Sequence, residues 1–213
     1  MQKLQQGSVL IVSLILLLLL TLVGVAGMNM TGLEERMSGN YKDQEMAFQA
    51  AEAALVEAEN YIENTNLTLD SFYTNDGVAL CSGADCFKRD CTGGADGGLC
   101  FMGDFETSSE PVNSCSVVAS EGTAPDPLNP WESLTRWDTP AQVEEAAALD
   151  GNSAVARYII EFRCFTVRDD SNSTADATVL SQWSMLFRIT ALANGGSGDS
   201  RVMLQSTYKK LDF

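Results

Sequence analysis

Ser8-Val-Leu-Ile-Val-Ser-Leu-Ile-Leu-Leu-Leu-Leu-Leu-Thr-Leu-Val-Gly24-Val-Ala-Gly27 is the stretch on which the fold turns. It lies inside an uncharged run from Leu4 to Leu33. A helix needs about 20 predominantly apolar residues to cross roughly 30 Å of hydrocarbon, and this run supplies them. The leader before it, Met1-Gln-Lys-Leu-Gln-Gln-Gly7, ends in glycine and carries one charged side chain, Lys3. The segment after it follows with no linker of turn-forming residues.

That next segment, Leu33 to Asn64, reads as an amphipathic continuation of the same helix. Met37, Tyr41, Phe48, Ala51, Leu55, Ala58 and Ile62 recur at intervals of three, four and seven, which places them along one helical face. Glu45, Glu52, Glu59 and Glu63 fall on the other faces. Alanine is abundant and proline absent, so intrinsic propensity agrees, with Gly39 the weak point at up to ~1 kcal/mol relative to alanine. Helical throughout, Ser8 to Asn64 would span ~85 Å at 1.5 Å per residue. Its outer half must then pack on something, and a sheet of the following domain is the nearest candidate. Phe48, Ala51, Leu55 and Ile62 are the expected contacts between helix and head.

About 180 residues follow the uncharged run, enough for one domain with a hydrophobic core. The formal charge is −16, and every charge except Lys3 lies at Glu34 or beyond. Binding to nucleic acid through its phosphates needs clustered Lys and Arg, and no such patch is present. Histidine is absent altogether. That excludes Ser-His-Asp and Cys-His nucleophiles and His-containing metal sites. All six cysteines, Cys81, Cys86, Cys91, Cys100, Cys115 and Cys164, lie beyond the apolar run, as suits an oxidising compartment. Lys3 and the α-amine favour a cytoplasmic N-terminus. An ordinary signal peptide cut near Ala26 is the competing reading. It is disfavoured by an apolar run longer than the usual ~7–15 residues and by the helix that continues past the site.

The leader ending in Gly7, the apolar block, Glu34-Glu-Arg-Met-Ser-Gly-Asn40 and Ala47-Phe-Gln-Ala-Ala-Glu-Ala-Ala-Leu55 together resemble a type IV pilin, specifically the PilX-type minor pilin. Phe187-Arg-Ile-Thr-Ala191 and Val202-Met-Leu-Gln-Ser-Thr-Tyr208 resemble the last strands of the same family. The resemblance implies that prepilin peptidase cuts after Gly7 and that Ser8 becomes a methylated N-terminus. It implies an assembly helix that begins Val9, Leu10, Ile11, Val12 and includes Leu14. One departure stands out. Most pilins start with phenylalanine and carry a glutamate four residues on, where this chain has Ser8 and Val12. In major pilins that glutamate is held to meet a neighbour's N-terminal amine, so its absence implies a subunit that starts a filament at the tip.

Residues 65–150 are punctuated by Asp76-Gly77, Gly93-Gly94, Gly97-Gly98 and five prolines, a loop-rich pattern. Short apolar pieces at 78–80 and 117–119 read as edge strands. Thr139 to Leu149 reads as a short helix with Thr139 as N-cap and Pro140 at its first position. Stronger strand patterns cover Ala154–Val167, Trp183–Leu192 and Arg201–Lys209, the last two joined by a glycine-rich hairpin loop. The expected fold is α+β and pilin-like: a long N-terminal helix, transmembrane then amphipathic, packed on an antiparallel sheet of about four strands, with disulfide-stapled irregular insertions.

The cysteine spacing contains no Cys-x-x-Cys, so disulfides are expected rather than metal, with fifteen connectivities open. Cys164, on a strand, is expected to tie the sheet to the irregular stretch. The loop Asp169 to Asp176 lacks the glycine and terminal glutamate of a calcium loop and reads as a solvated connection. No pair of carboxylates, and no Ser/Lys pair, is singled out for catalysis. No enzyme activity and no cofactor are expected.

The domain reading is a prepilin leader over 1–7, a transmembrane and assembly helix over 8–33, its amphipathic periplasmic half over 34–64 and a globular head over 65–213. The resemblance implies a structural subunit that initiates type IV pilus assembly and supports twitching motility and adhesion. Its partners would be other minor pilins, the major pilin, prepilin peptidase, a tip adhesin and inner-membrane lipid. It would pass from the inner membrane to an extracellular pilus. A type II secretion minor pseudopilin and a non-polymerising single-span surface binding protein are the other two readings.

Overall fold

Alternation of large apolar residues builds three long strands: β3 (Val155–Val167), β4 (Trp183–Asn194) and β5 (Arg201–Lys210). They pair antiparallel in sequence order. The computed structural model describes residues 8–68, 71–72, 81, 83, 85–88, 90–95, 97–101, 130–169, 171, 175–176 and 179–211, except the side chains at 8, 26, 28–30 and 180. The chain divides into two compact units, Met1–Asp43 and Gln44–Phe213. One helix, α1 (Ser8–Asn64), supplies nearly all of the first unit's described structure and opens the second.

Among the described residues the sheet has five strands and is mixed. The free edge of β3 is covered by two short strands, β2 (Glu144–Glu145), antiparallel at Tyr158 and Arg157, and β1 (Leu99–Phe101), parallel at Ile160 to Phe162. The expectation of about four antiparallel strands thus holds for the architecture but missed the parallel β1. Three residues inside a glycine-rich, cysteine-rich stretch leave no alternation to read. The apolar pieces at 78–80 and 117–119 lie outside the described residues.

The helix expected over Thr139–Leu149 is not formed. Pro140–Gln142 makes one 3-10 turn, Val143 is extended and buried, and the chain joins the sheet as β2. Burying Val143 and pairing with β3 outweigh the helix propensity of alanine and glutamate. Gly97 and Gly98 pack beneath this segment with φ of +109° and +86°. A Cβ on Gly97 would lie 2.4 Å from the Ala141 carbonyl oxygen, so neither the conformation nor the space admits a side chain there.

The two faces of the sheet are covered differently. On one, Tyr158, Ile160, Phe162, Phe165, Met185, Phe187 and Ile189 form the main core with Phe72 and Phe87. Phe162 and Phe165 reach the same core because a register shift between Phe162 and Cys164 resets the alternation. Phe72 stacks on Phe162 at 4.0 Å between ring centroids. On the other face Ile159 and Leu192 meet Trp137, from the four-residue helix α2 (Leu134–Trp137), and the Cys91–Cys100 pair. Glu161, fully buried, accepts two hydrogen bonds from its cross-strand partner Arg188 at 2.7 and 2.6 Å. A bidentate guanidinium answers both carboxylate oxygens, as burial of that charge requires.

Two disulfides lie in the irregular stretch, Cys81–Cys86 and Cys91–Cys100. Cys164 is disulfide-bonded as well, and not to any of those four. Cys115 lies outside the described residues. Bridges of this kind constrain the unfolded chain, typically by about 2–4 kcal/mol each. Peptide mapping of the non-reduced protein should recover Cys81 linked to Cys86 and Cys91 linked to Cys100. A Cys86–Cys91 peptide in their place would overturn this arrangement.

Candidate assembly site

In the first unit, the large apolar side chains of α1 from Val9 to Val25 are 51–71 % exposed, and Val12 is 55 % exposed. Val9, Leu10, Ile11, Val12 and Leu14 all belong to this surface. The polar side chains described within or beside it are satisfied by their own helix. Ser13 Oγ donates to the Leu10 carbonyl at 2.9 Å, Thr21 Oγ1 to Leu18 at 2.8 Å and Thr31 Oγ1 to Gly27 at 3.0 Å. Back-bonding of this kind leaves no hydroxyl needing water on an apolar helix. Among the described residues no helix is long and apolar enough to cross a membrane. Gly7 and the Ser8 side chain lie outside the described residues.

In the second unit, α1 packs on the sheet through small side chains. Ala47, Ala50, Ala51, Ala54 and Ala58 are buried, and Ile62 closes the row. Leu55 is partly buried against the same core. Phe48, expected at this face, is 39 % exposed instead. It sits one residue, about 100° of helical turn, from the Ala47 line. A ring pointing inward there would hold α1 off the sheet, whereas alanine lets the backbone approach the large side chains of β3 and β4. The hydrophobic weight is carried by the sheet, and the helix supplies the recess. Met37 and Tyr41, placed on the same stripe from sequence, are exposed.

Polar contacts set the axial position of the helix. Ser206 Oγ donates to Glu59 at 2.8 Å, and Tyr208 Oη donates to Glu63 at 2.5 Å. A step of two residues on a strand covers about 6.7 Å, and a step of four on a helix about 6 Å, so the two ladders stay in register. The hydrogen bond to Glu63, followed by burial, pushes the Tyr208 phenol up to about 12. One step further along β5, Lys210 is 8 % exposed. Its Nζ donates to the carbonyls of Ile62, Glu63 and Thr65 at 2.6, 2.9 and 3.0 Å. The last turn of α1 has no basic residue of its own. Lys210 therefore satisfies orphan carbonyls and places a cation at the negative end of the helix dipole. Glu57 adds a tie to the backbone N–H of Ala147 at 2.9 Å, and Asn152 Nδ2 donates to the Met46 carbonyl at 2.9 Å.

Lys210, Glu59 and Glu63 were missed in the sequence. The signal was present: Ser206, Tyr208 and Lys210 alternate along β5 opposite glutamates four residues apart on α1. Reading it required knowing which face of β5 looks at the helix. Asp169 accepts from the Ser171 N–H at 2.9 Å and from Ser171 Oγ at 2.7 Å, an ordinary turn. Among the described residues no group of three or more His, Cys, Asp or Glu could hold a metal ion.

A long N-terminal helix with an exposed apolar first part, whose second part is packed on an antiparallel β-meander, defines a pilin-like protein. The chain belongs to the PilX family of type IV pilus assembly proteins: residues 96–210 match the type IV pilus assembly protein PilX C-term and residues 6–56 match PilX N-terminal. No curated protein and no solved structure matches it. Members of this family are minor pilins, structural components that assemble with other pilins in type IV pili.

Two substitutions should separate the inner and outer faces of the helix. Ala54→Leu should destabilise the head by about 1–3 kcal/mol through overpacking, whereas Phe48→Ala should cost about 1 kcal/mol or less, both read by urea denaturation. The reverse order would refute the alanine-lined seat. Lys210→Met, similar in reach but without donors, should cost about 2–3 kcal/mol in the same measurement.

Proposed function

We propose that this minor pilin primes type IV pilus assembly and sits at or near the filament tip, supporting twitching motility and adhesion. Prepilin peptidase removes residues 1–7 after Gly7, and Ser8 becomes the methylated N-terminus. Residues 8–33 hold the subunit in the inner membrane with its N-terminus cytoplasmic. The amphipathic half over 34–64 and the head over 65–213 then face the periplasm. On assembly the apolar helix leaves the lipid and packs against other minor pilins and the major pilin, while the head meets neighbouring heads and a tip adhesin. The subunit ends outside the cell in the pilus.

The observation that carries this reading is Val12. It lies one helical turn from Ser8 on an exposed apolar surface, and it offers no carboxylate to a neighbour's amine. A carboxylate in hydrocarbon costs ~2.5–3.5 kcal/mol on insertion scales and persists only where it finds a partner. A subunit with nothing above it has no amine to meet, and an apolar side chain avoids that cost. The disulfides and the absence of histidine fit a structural head in an oxidising compartment.

Mass spectrometry of the mature chain should find a methylated Ser8, and a start near Gly27 would overturn the pilin processing. Val12→Glu should change filament number severalfold or redistribute the subunit along sheared pili. An unchanged number and position would remove the tip argument. Deletion that spares pili but blocks protein secretion would favour a type II secretion pseudopilin.

A further inference from the structure

The sheet ends on β5, and among the described residues no strand pairs with its outer edge. The ladder fixes which way each backbone group of β5 points. Gly195 N–H donates to the Ser200 carbonyl at 2.8 Å, one pair beyond Asn194 and Arg201 in the β4–β5 register. Hydrogen-bonded and non-hydrogen-bonded pairs alternate in an antiparallel ladder. Val202, Leu204, Ser206, Tyr208 and Lys210 therefore turn their N–H and C=O groups toward β4. The β3 side agrees, since Gln182, of opposite parity to Gly195, accepts from the Arg168 N–H at 2.8 Å. Arg201, Met203, Gln205, Thr207 and Lys209 are left aiming their backbone groups away from the sheet. At Arg201, Met203, Gln205 and Thr207 those groups have no hydrogen-bond partner among the described residues.

This edge is long, regular and cationic. β5 contains no proline and pairs through all ten residues with no shift of register. The outward row thus runs unbroken for about 27 Å from Arg201 to Lys209, a ready template for another strand. The side chains of Arg201, Met203, Gln205 and Thr207 are exposed. In a chain of net charge −16, β5 holds Arg201, Lys209 and Lys210 and no carboxylate. Lys210 is turned to the end of α1, and Lys209 Nζ donates to the Arg168 carbonyl at 3.2 Å. Arg201 donates through Nε to the Asn194 amide oxygen at 3.1 Å, a neutral partner. Its charge is met by no carboxylate among the described residues.

We propose that the free edge of β5 takes up an extended acidic segment of a partner protein as an added strand. The backbone ladder supplies affinity, and the side chains beside it supply selectivity. A carboxylate fits opposite Arg201 and an apolar side chain opposite Met203, pairings that stabilise neighbouring strands. A second copy of this chain fits poorly. Two β5 strands paired antiparallel about Gln205 set Arg201 against Lys209 at both ends, and like charges directly opposite are destabilising. Cations on an exposed edge guard against self-pairing and leave it open to an acidic strand. This docking requires no particular position of the subunit in a filament.

The test is backbone amide hydrogen exchange on the full chain in detergent micelles, with and without the peptide acetyl-Asp-Val-Thr-Ser-Thr-Val-Ile-Ser-Asp-amide. Paired antiparallel, its aspartates lie opposite Lys209 and Arg201 and its isoleucine opposite Met203. In the free chain the Met203, Gln205 and Thr207 amides should exchange fast and those of Val202, Leu204 and Ser206 slowly. The peptide should slow the first three by about tenfold and leave the others unchanged. Lysine in place of both aspartates should weaken binding by about tenfold. Thr207→Pro deletes an outward N–H without touching the β4 ladder and should weaken binding to a similar degree. Arg201→Glu serves if that variant fails to fold, and should turn the preference toward the lysine peptide. Absence of protection at the three outward amides, or equal protection by both peptides, overturns the proposal. So does a dimer in sedimentation that protects them without peptide, which would make a second copy the occupant.

Discussion

The packing of an alanine-lined helix on the aromatic face of a sheet is the constraint from which the head follows. Ala47, Ala50, Ala51, Ala54 and Ala58 are buried in one cluster with Phe162, Phe187 and Ile189, so small side chains on the helix meet large ones on the sheet. Such packing stabilises through the area the sheet buries rather than through the helix's own side chains, which are too small to contribute much. It leaves the helix free to slide along a smooth surface. The polar rungs from Ser206 to Glu59, Tyr208 to Glu63 and Lys210 to the terminal carbonyls prevent that. Hydrophobic contact sets the distance between the layers, and directional hydrogen bonds set the register.

The second face of the sheet shows the opposite strategy. Buried Glu161 and partly exposed Arg188 form a cross-strand ion pair, with Trp131 beneath the guanidinium at 5.8 Å. Trp137, Val143 and the Cys91–Cys100 bridge pack with Ile159 and Leu192 on the same face. Arg157 Nη1 donates to the Trp137 carbonyl at 2.7 Å, and Arg136 Nη1 donates to the Asp90 carbonyl at 3.0 Å. Arg157 thus holds irregular chain to β3, and Arg136 ties two irregular segments to each other, both through backbone carbonyls. A covering of this kind tolerates variation in the loops it holds, because arginine recognises the backbone and not the side chain.

These arrangements differ in how far they could be read from residues alone. The continuity of α1, the three long strands and the glycine-rich hairpin were legible because each is a local pattern with one period. The short helix over 139–149 was misjudged because local propensity lost to pairing with β3. Phe48 is placed inward by its spacing from Ala51, Leu55 and Ile62, whereas the buried line runs through Ala47, Ala50, Ala51, Ala54 and Ala58. Hydrophobicity identifies a buried face poorly when the packing partner supplies the bulk.

By itself, the sequence determined the class of the protein. An uncharged run that follows Gly7, Val12 where most pilins have a carboxylate, and even-numbered cysteines beyond the run are properties of composition and spacing that no packing alters. Tertiary structure alone decided that Lys210 caps a helix ending some 145 residues earlier in the chain. It also decided that β1 joins the sheet in parallel and that β5 is left at its edge. The physical reason is sequence separation. Local periodicity reports the environment of a residue's own helix or strand, whereas these partners come from elements whose meeting depends on which faces the whole core turns toward each other.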